Sequence, residues 1–314
     1  MCALIFAAGV LLAGHLAGSH AMPVVGILTA VAAAFAAAML GQFLLVRTGK
    51  LSFMRSESSN LVAIKSGAGE TPDVWLVAHT DSKSQTIGML VRVGSVALTL
   101  IFFSFMLGAM AAQLTAFPEL TGISLKMLRA QSIAGSLLTA LAILPVALCF
   151  ITNKSRGALD NATGVAAVFL AIENIPAGRN VGVLLTSAEE LGLAGARHFA
   201  ATRVGKGIAI NCDTIDNSGR FICMTNDLKR RDAVAMAKAG ASLGVIIQVR
   251  GVISGILTDS MAFTRGGWES CTLSRGNLDT LGRVHTRRDE PGRIDGAGVA
   301  LAARILAATV EELA

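Results

Sequence analysis

Hydrophobic and polar positions are distributed very unevenly along this chain. Three stretches contain no Asp, Glu, Lys or Arg: residues 1–46, 93–118 and 130–153. A helix needs about 20 apolar residues to cross the roughly 30 Å hydrocarbon core of a bilayer, so each stretch can cross once and the first can cross twice. We therefore predict four transmembrane helices, at about residues 3–18, 23–46, 93–117 and 130–151.

The first of these helices also has the length of a secretory signal peptide, which would be cleaved near residues 19–21. Signal peptides begin with basic residues, and none precedes this apolar stretch. We therefore favour a retained helix.

Basic residues beside the predicted spans indicate how the chain is oriented, because cytoplasmic loops are enriched in Lys and Arg. The loop at 119–129 contains only Lys126 and Arg129, and the first hairpin turn contains no basic residue. The opposite side is richer and should be cytoplasmic: its basic residues are Arg47, Lys50, Arg55, Lys83, Arg92, Lys154 and Arg156. We expect an integral protein of the bacterial plasma membrane whose polar region is cytoplasmic.

The polar remainder alternates between short apolar runs and amphipathic segments, a pattern typical of an α/β sheet covered by helices. We predict a mixed, mostly parallel sheet in a catalytic domain formed by residues 49–87 and 152–314, with transmembrane hairpins at 1–48 and 88–151. Strands are predicted at 60–65, 74–78, 181–185, 207–211, 221–224, 245–249 and 270–273. Helices are predicted at 165–175, 191–202, 228–243, 259–264 and 295–313.

Composition narrows the possible partners. The net charge is +6 and the chain contains no Tyr. No basic run is interleaved with aromatic residues, so nucleic acid is not an expected partner, and part of the positive charge is suited to anionic lipid. The five cysteines include no C-x-x-C pair, which fits a reducing compartment.

Two adjacent carboxylates, Glu189 and Glu190, follow the apolar run 181–185 and precede an Ala-rich segment. Open α/β sheets build their sites at the carboxyl ends of strands. One such carboxylate can bind a metal while the other transfers a proton. The alternative is an ordinary helix start, where Glu favours the positive end of the helix dipole.

Candidate metal ligands stand at other strand ends or in the loops that follow them. Two His and three carboxylates form a mixed nitrogen and oxygen set that suits zinc. Each residue has a structural alternative, such as a hydrogen-bonded core histidine, a helix cap or a surface loop residue. The candidates are His79, Asp160, Glu190, Asp213 and His285.

Around these residues the sequence resembles the co-catalytic zinc exopeptidases of the bacterial leucyl aminopeptidase type, which are related to glutamate carboxypeptidase. The resemblance covers about residues 60–85 and 154–314. The segment 258–263 also resembles the family's substrate-lining segment, although it would serve equally as an N-capped helix. The main blocks are His79-Thr80-Asp81-Ser82, Leu159-Asp160-Asn161-Ala162-Thr163-Gly164, Ser187-Ala188-Glu189-Glu190-Leu191-Gly192, Asn211-Cys212-Asp213-Thr214-Ile215 and His285-Thr286.

The resemblance implies a role for each candidate ligand. Asp160 would bridge two zinc ions. His79 and Asp213 would complete the first position, and Glu190 and His285 would complete the second. The resemblance thus implies two zinc ions per chain, held in a zinc exopeptidase fold.

The resemblance also implies that Glu189 is the general base and that Asp81 hydrogen-bonds the imidazole of His79 to orient it. The chain departs from the family by its inserted transmembrane hairpin, by its expected cytoplasmic orientation and by the lack of Tyr, since relatives often place a Tyr near the last His. The leading hypothesis is a membrane-anchored aminopeptidase acting on short peptides. Alternatives are an amidase or deacylase acting on a non-peptide amide, an inactive scaffold or binding protein and, less favoured, a small transporter. The oligomeric state does not follow from the sequence.

Overall fold

The chain divides into two units, each made from two separated segments. The computed structural model describes residues 2–19, 22–51, 57–65, 71–115, 117–203, 205–253 and 256–314. The first unit contains Met1–Arg47 and Thr86–Phe150, and the second contains Thr48–Gln85 and Ile151–Ala314.

The first unit is helical. Its helices are α1 (Cys2–Ser19), α2 (Pro23–Leu51), α3 (Met89–Ala112), α4 (Phe117–Thr121) and α5 (Leu125–Ala147). Both α3 and α5 begin a few residues before the charge-free stretches used to predict them, and α5 begins where the Ser124 side chain accepts a hydrogen bond from the N–H of Met127. Among the described residues, three helical segments are long and apolar enough to cross a membrane: Pro23–Gly41, Met89–Ala112 and Leu125–Ala147. Cys2–Gly18 is a shorter apolar helix.

Small residues let the helices of the first unit approach closely, as in helix packing within membranes. A Cβ atom at Gly14 would lie 2.1 Å from Ser136 Oγ, and one at Gly18 would lie 2.4 Å from Ile133. Large apolar side chains instead point outward, as is typical of helices surrounded by lipid. Examples are Leu12, Leu28, Phe35, Leu100, Ile101 and Leu141.

The second unit contains a seven-stranded sheet and a small two-stranded ladder. The strands are β1 (Leu61–Ile64), β2 (Val74–His79), β3 (Ser84–Gln85), β4 (Ile151–Thr152), β5 (Val181–Thr186), β6 (Ile208–Ile215), β7 (Arg220–Thr225), β8 (Ile247–Gly251) and β9 (Glu269–Gly276). The large sheet has the order β1-β5-β2-β6-β9-β7-β8, and β3 pairs with β4. β5, β2, β6 and β9 are mutually parallel neighbours, whereas β1 pairs antiparallel with β5, and β7 with β9. The predicted mixed, mostly parallel sheet is therefore confirmed.

Helices cover both faces of this sheet, because consecutive residues of a strand point to opposite sides. In β2, Leu76 packs in a core with residues of α6, α8 and α11, while Trp75 packs in a second core with residues of α7 and α9. The helices of the second unit are α6 (Thr163–Asn174), α7 (Ala194–Thr202), α8 (Arg231–Ser242), α9 (Asp259–Arg265), α10 (Leu278–Arg283) and α11 (Ala297–Leu313). A distorted turn at Ala158–Ala162 precedes α6, and a 3-10 turn spans Pro291–Arg293.

Three local features differ from the sequence-based expectations. β6 continues through Asp213 to Ile215 with an irregularity after Cys212, instead of ending at Asn211. α7 begins at Ala194 rather than at 191, because Gly192 and Leu193 have left-handed backbone (φ 87° and 61°). β8 spans Ile247–Gly251 rather than the predicted 245–249.

Candidate metal centre

The five predicted ligands come together at the carboxyl edge of the sheet. His79 is the last residue of β2, and Asp213 lies near the end of β6. Asp160 occupies the distorted turn before α6, Glu190 the loop after β5, and His285 the loop after α10. Because β2, β5 and β6 are parallel neighbours, their carboxyl ends and following loops meet at one place.

The first group joins His79 to two carboxylates. His79 Nε2 lies 3.1 Å from Asp160 Oδ1 and 3.7 Å from Asp213 Oδ1. All three residues are buried. One nitrogen and two carboxylate oxygens are thus close enough to ligate a single ion.

The second group uses the other oxygen of Asp160. His285 Nε2 lies 2.9 Å from Asp160 Oδ2 and 3.0 Å from Glu190 Oε1. These three residues again present one ligand atom each within ion-binding distance of one another. Because Asp160 contributes to both groups, its carboxylate is placed to bridge two cations, and the donor set is one that zinc prefers.

The electrostatics of the cluster also fit a cation. Burial works against the charge of His79, but its contact with Asp160 and the negative charges of Asp213 and Asp160 outweigh burial and raise its pKa well above the usual value. Burial opposes the charge of Asp160 as well, and hydrogen bonds to His285 and His79 nevertheless hold its pKa far below the usual value. The buried carboxylates are thus stabilised by nearby positive charge, which protons on the histidines or metal ions can supply.

Hydrogen bonds to the second ring nitrogens aim both imidazoles at the cluster. His79 Nδ1 lies 2.9 Å from the backbone carbonyl oxygen of Asp81. His285 Nδ1 lies 3.1 Å from Gln85 Oε1, and the Gln85 N–H donates to the carbonyl of His285 at 2.9 Å. With Nδ1 protonated in each ring, Nε2 presents its lone pair to a metal.

The carboxylate of Asp81 has a different partner from the one expected. Its nearest oxygen is 3.8 Å from His79 Nδ1, beyond hydrogen-bond distance. Its two oxygens instead accept hydrogen bonds from the backbone N–H groups of Glu189 and Glu190, both at 3.0 Å. Asp81 therefore orients His79 through its backbone and holds the loop of the two glutamates through its side chain.

Glu189 is buried beside the ligands. Burial raises its pKa well above the usual value; the charge of His79 opposes this, and the neighbouring charges of Asp213, Asp259 and Glu190 add to it. A carboxyl group with a raised pKa is suited to accept and return a proton near neutral pH.

A family model described as peptidase family M28 matches residues 144–310. This chain belongs to peptidase family M28. The matched range includes Asp160, Glu189, Glu190, Asp213 and His285 but not His79, which lies before the inserted helices. The fold brings His79 to the other ligands through the pairing of β2 with β5 and β6.

Solved structures share the fold at low sequence identity. BSAP, a zinc aminopeptidase from Bacillus subtilis, aligns with a TM-score of 0.51 and 17% identity over 81% of this chain and 50% of that chain. An aminopeptidase from Aneurinibacillus sp. strain AM-1 aligns with a TM-score of 0.50 and 16% identity over 80% of this chain and 47% of that one. The M28 chain thus spans about half the length of these structures. No curated protein sequence matches it.

Two polar residues absent from the predicted site hold the turn that carries Asp160. Asp289 accepts hydrogen bonds from the N–H of Leu159 at 2.5 Å and of Asp160 at 3.3 Å. The Asn161 side chain donates to the carbonyl of Cys212 at 2.9 Å and accepts from the N–H of Thr214 at 3.1 Å. These contacts tie the Asp160 turn to the His285 loop and to β6. The available signals were that Asp289 follows His285 closely and that Asn161 lies within a matched block.

Strained backbone surrounds the site. Ala188, Thr214 and His285 have left-handed φ values of 54°, 59° and 61°. Each such residue costs about 1–3 kcal/mol, and these conformations cluster at functional sites. His285 is itself a predicted ligand, and Ala188 and Thr214 each lie next to a predicted site residue.

The segment 258–263 contains Thr258 and the first five residues of α9, and the charge of its buried Asp259 acts on His79 and Glu189. Thr258 is the N-cap residue of α9, although its side chain makes no capping hydrogen bond. The Asp259 carboxylate accepts a hydrogen bond from the Thr186 hydroxyl at the end of β5. Burial, opposed by the charge of His79 and that hydrogen bond, raises the pKa of Asp259 to about 7.

Proposed function

We propose that this chain is a membrane-anchored metallopeptidase with two zinc ions, an aminopeptidase of the bacterial leucyl aminopeptidase type acting on short peptides. The main observation behind the proposal is that Asp160 belongs to both candidate ligand groups, each of which also contains one His and one further carboxylate. Membership of peptidase family M28 supports peptide-bond hydrolysis, and the similar folds of proteins named as zinc aminopeptidases support zinc and the aminopeptidase class.

Five residues would bind the metal ions and one would transfer the proton. His79, Asp160 and Asp213 would hold one ion. Asp160, Glu190 and His285 would hold the other. When bound, the zinc ions lower the pKa of a water molecule and polarise the scissile carbonyl.

Glu189 would take a proton from the attacking water and deliver it to the leaving amine. Its burial favours that role, because the carboxylate is desolvated and basic. Asp81 would keep Glu189 in place through the backbone hydrogen bond.

Membrane attachment is part of the proposal. Three helical segments are long and apolar enough to cross a bilayer, and the basic flanks favour a cytoplasmic second unit in the bacterial plasma membrane. Proteolysis of the second unit only in inverted membrane vesicles would support this orientation. Proteolysis only in right-side-out vesicles would contradict it.

The direct test compares the detergent-purified chain with Glu189→Gln. Hydrolysis of an aminoacyl p-nitroanilide should fall by roughly 10²–10⁴-fold because the proton carrier is lost, while bound zinc stays near two per chain. Glu173→Gln, an exposed residue of α6, is the matched control.

Full activity of Glu189→Gln would refute the mechanism. Two other results would favour different functions. Hydrolysis of acylated amines but not of aminoacyl substrates would favour the amidase alternative, and failure to bind zinc would favour a scaffold.

A further inference from the structure

The second ligand group contains a built-in cation. The Lys83 ammonium contacts Glu190 Oε2, while Glu190 Oε1 faces His285 Nε2 at 3.0 Å. The side chain of Lys83 is 20% exposed and that of Glu190 is 7% exposed. The ion pair is therefore largely shielded from water, where charges act on each other more strongly than at a surface.

The backbone on the C-terminal side of Lys83 is tied down. Ser84 Oγ lies 2.7 Å from Thr152 Oγ1 and accepts a hydrogen bond from the N–H of Lys154 at 2.6 Å. Gln85 is hydrogen-bonded to His285 through both its backbone and its side chain. The same segment therefore touches both residues that belong only to the second ligand group.

Among the described residues, the first ligand group has no equivalent cation. In the part of the chain that the structure describes, no Lys or Arg forms an ion pair with Asp160 or Asp213. The two groups are thus similar in ligand type but unequal in nearby positive charge.

We propose that Lys83 makes the two metal positions unequal, so that the position at His79 and Asp213 binds a divalent cation first and more tightly than the position at Glu190 and His285. Because Lys83 is paired with Oε2 of Glu190, only Oε1 remains available to bind a metal. Its ammonium also repels a dication at that position. This inference rests on the proposed metal function and concerns how that site is loaded.

The test is a zinc titration of the metal-free, detergent-purified full chain against a chromophoric chelator. Wild type should show two binding steps whose dissociation constants differ by about tenfold or more. Lys83→Met should tighten the weaker step by about tenfold or more and leave the tighter step unchanged. Lys83→Arg, which keeps the charge, should retain a weak second step.

Lys154→Met is the matched control, because it removes an exposed lysine from the same neighbourhood. It should leave both steps unchanged. Two equal steps in wild type, or an unchanged second step in a folded Lys83→Met, would overturn the role of Lys83 but leave the proposed metal centre standing. Failure of wild type to bind any zinc would instead refute the metal centre and this inference with it.

Discussion

Replacing Asp81 with Ala should weaken the second metal position and spare the first. The carboxylate of Asp81 accepts hydrogen bonds from the N–H groups of Glu189 and Glu190, each at 3.0 Å. His79 is held by the backbone carbonyl of residue 81, which the substitution retains. The loop of the two glutamates therefore loses its support, while His79 does not.

The size of the effect follows from those two hydrogen bonds. A hydrogen bond to a charged group contributes about 1.5–3 kcal/mol. The Asp81 side chain is 26% exposed, so water can replace part of this contribution. The left-handed backbone at Ala188 would also relax once the loop is released. We expect a loss of about 2–3 kcal/mol, which corresponds to roughly 30–150-fold weaker zinc binding at the second position.

The assay measures each position alone. Zinc affinity in a His285→Ala background reports the first position, and affinity in a His79→Ala background reports the second. Adding Asp81→Ala should change the first by less than about threefold and the second by the larger factor. Asp81→Asn keeps one acceptor oxygen, so it should weaken zinc binding at the second position by less than Asp81→Ala does. An equal loss at the first position would refute this reasoning, because it would mean that the carboxylate orients His79 after all.

Two further predictions concern the imidazoles. Gln85→Leu removes the acceptor for His285 Nδ1 and should weaken zinc binding by about tenfold or more. Gln248→Leu, which changes an exposed residue of β8, is its control. Equal zinc affinities of Gln85→Leu and wild type in a calorimetric titration would contradict the role of Gln85. The pKa values of His79 and His285 are raised in the metal-free protein, so zinc must displace protons near neutral pH and its affinity should fall as the pH drops below those raised values. Calorimetry in two buffers of different ionisation enthalpy measures the protons released, and identical heats in both would contradict this prediction.

Most of the long helices and strands, and the residue types of the candidate site, can be predicted from the amino-acid sequence. The apolar runs at 74–78 and 181–185 became β2 and β5, and the charge-free stretches became α1, α2, α3 and α5. Each feature depends on neighbouring residues of the chain, so periodicity and charge spacing were enough to predict it. Matched sequence blocks likewise predict Asp160 and Glu190 as metal ligands without knowledge of the fold.

How those residues are paired and supported depends on contacts between distant parts of the chain. The strand order β5-β2-β6 brings His79 to Asp160 across a long insertion, and no local pattern encodes that order. Gln85 meets His285, and Lys83 meets Glu190, because the β3–β4 ladder and the loop after β5 fold to the same edge. The left-handed backbone at Ala188 and Leu193, neither of them glycine, redirects the loop that carries the two glutamates and delays α7. Contacts between residues far apart in the chain select these conformations, whereas local preference governs the helices and strands themselves.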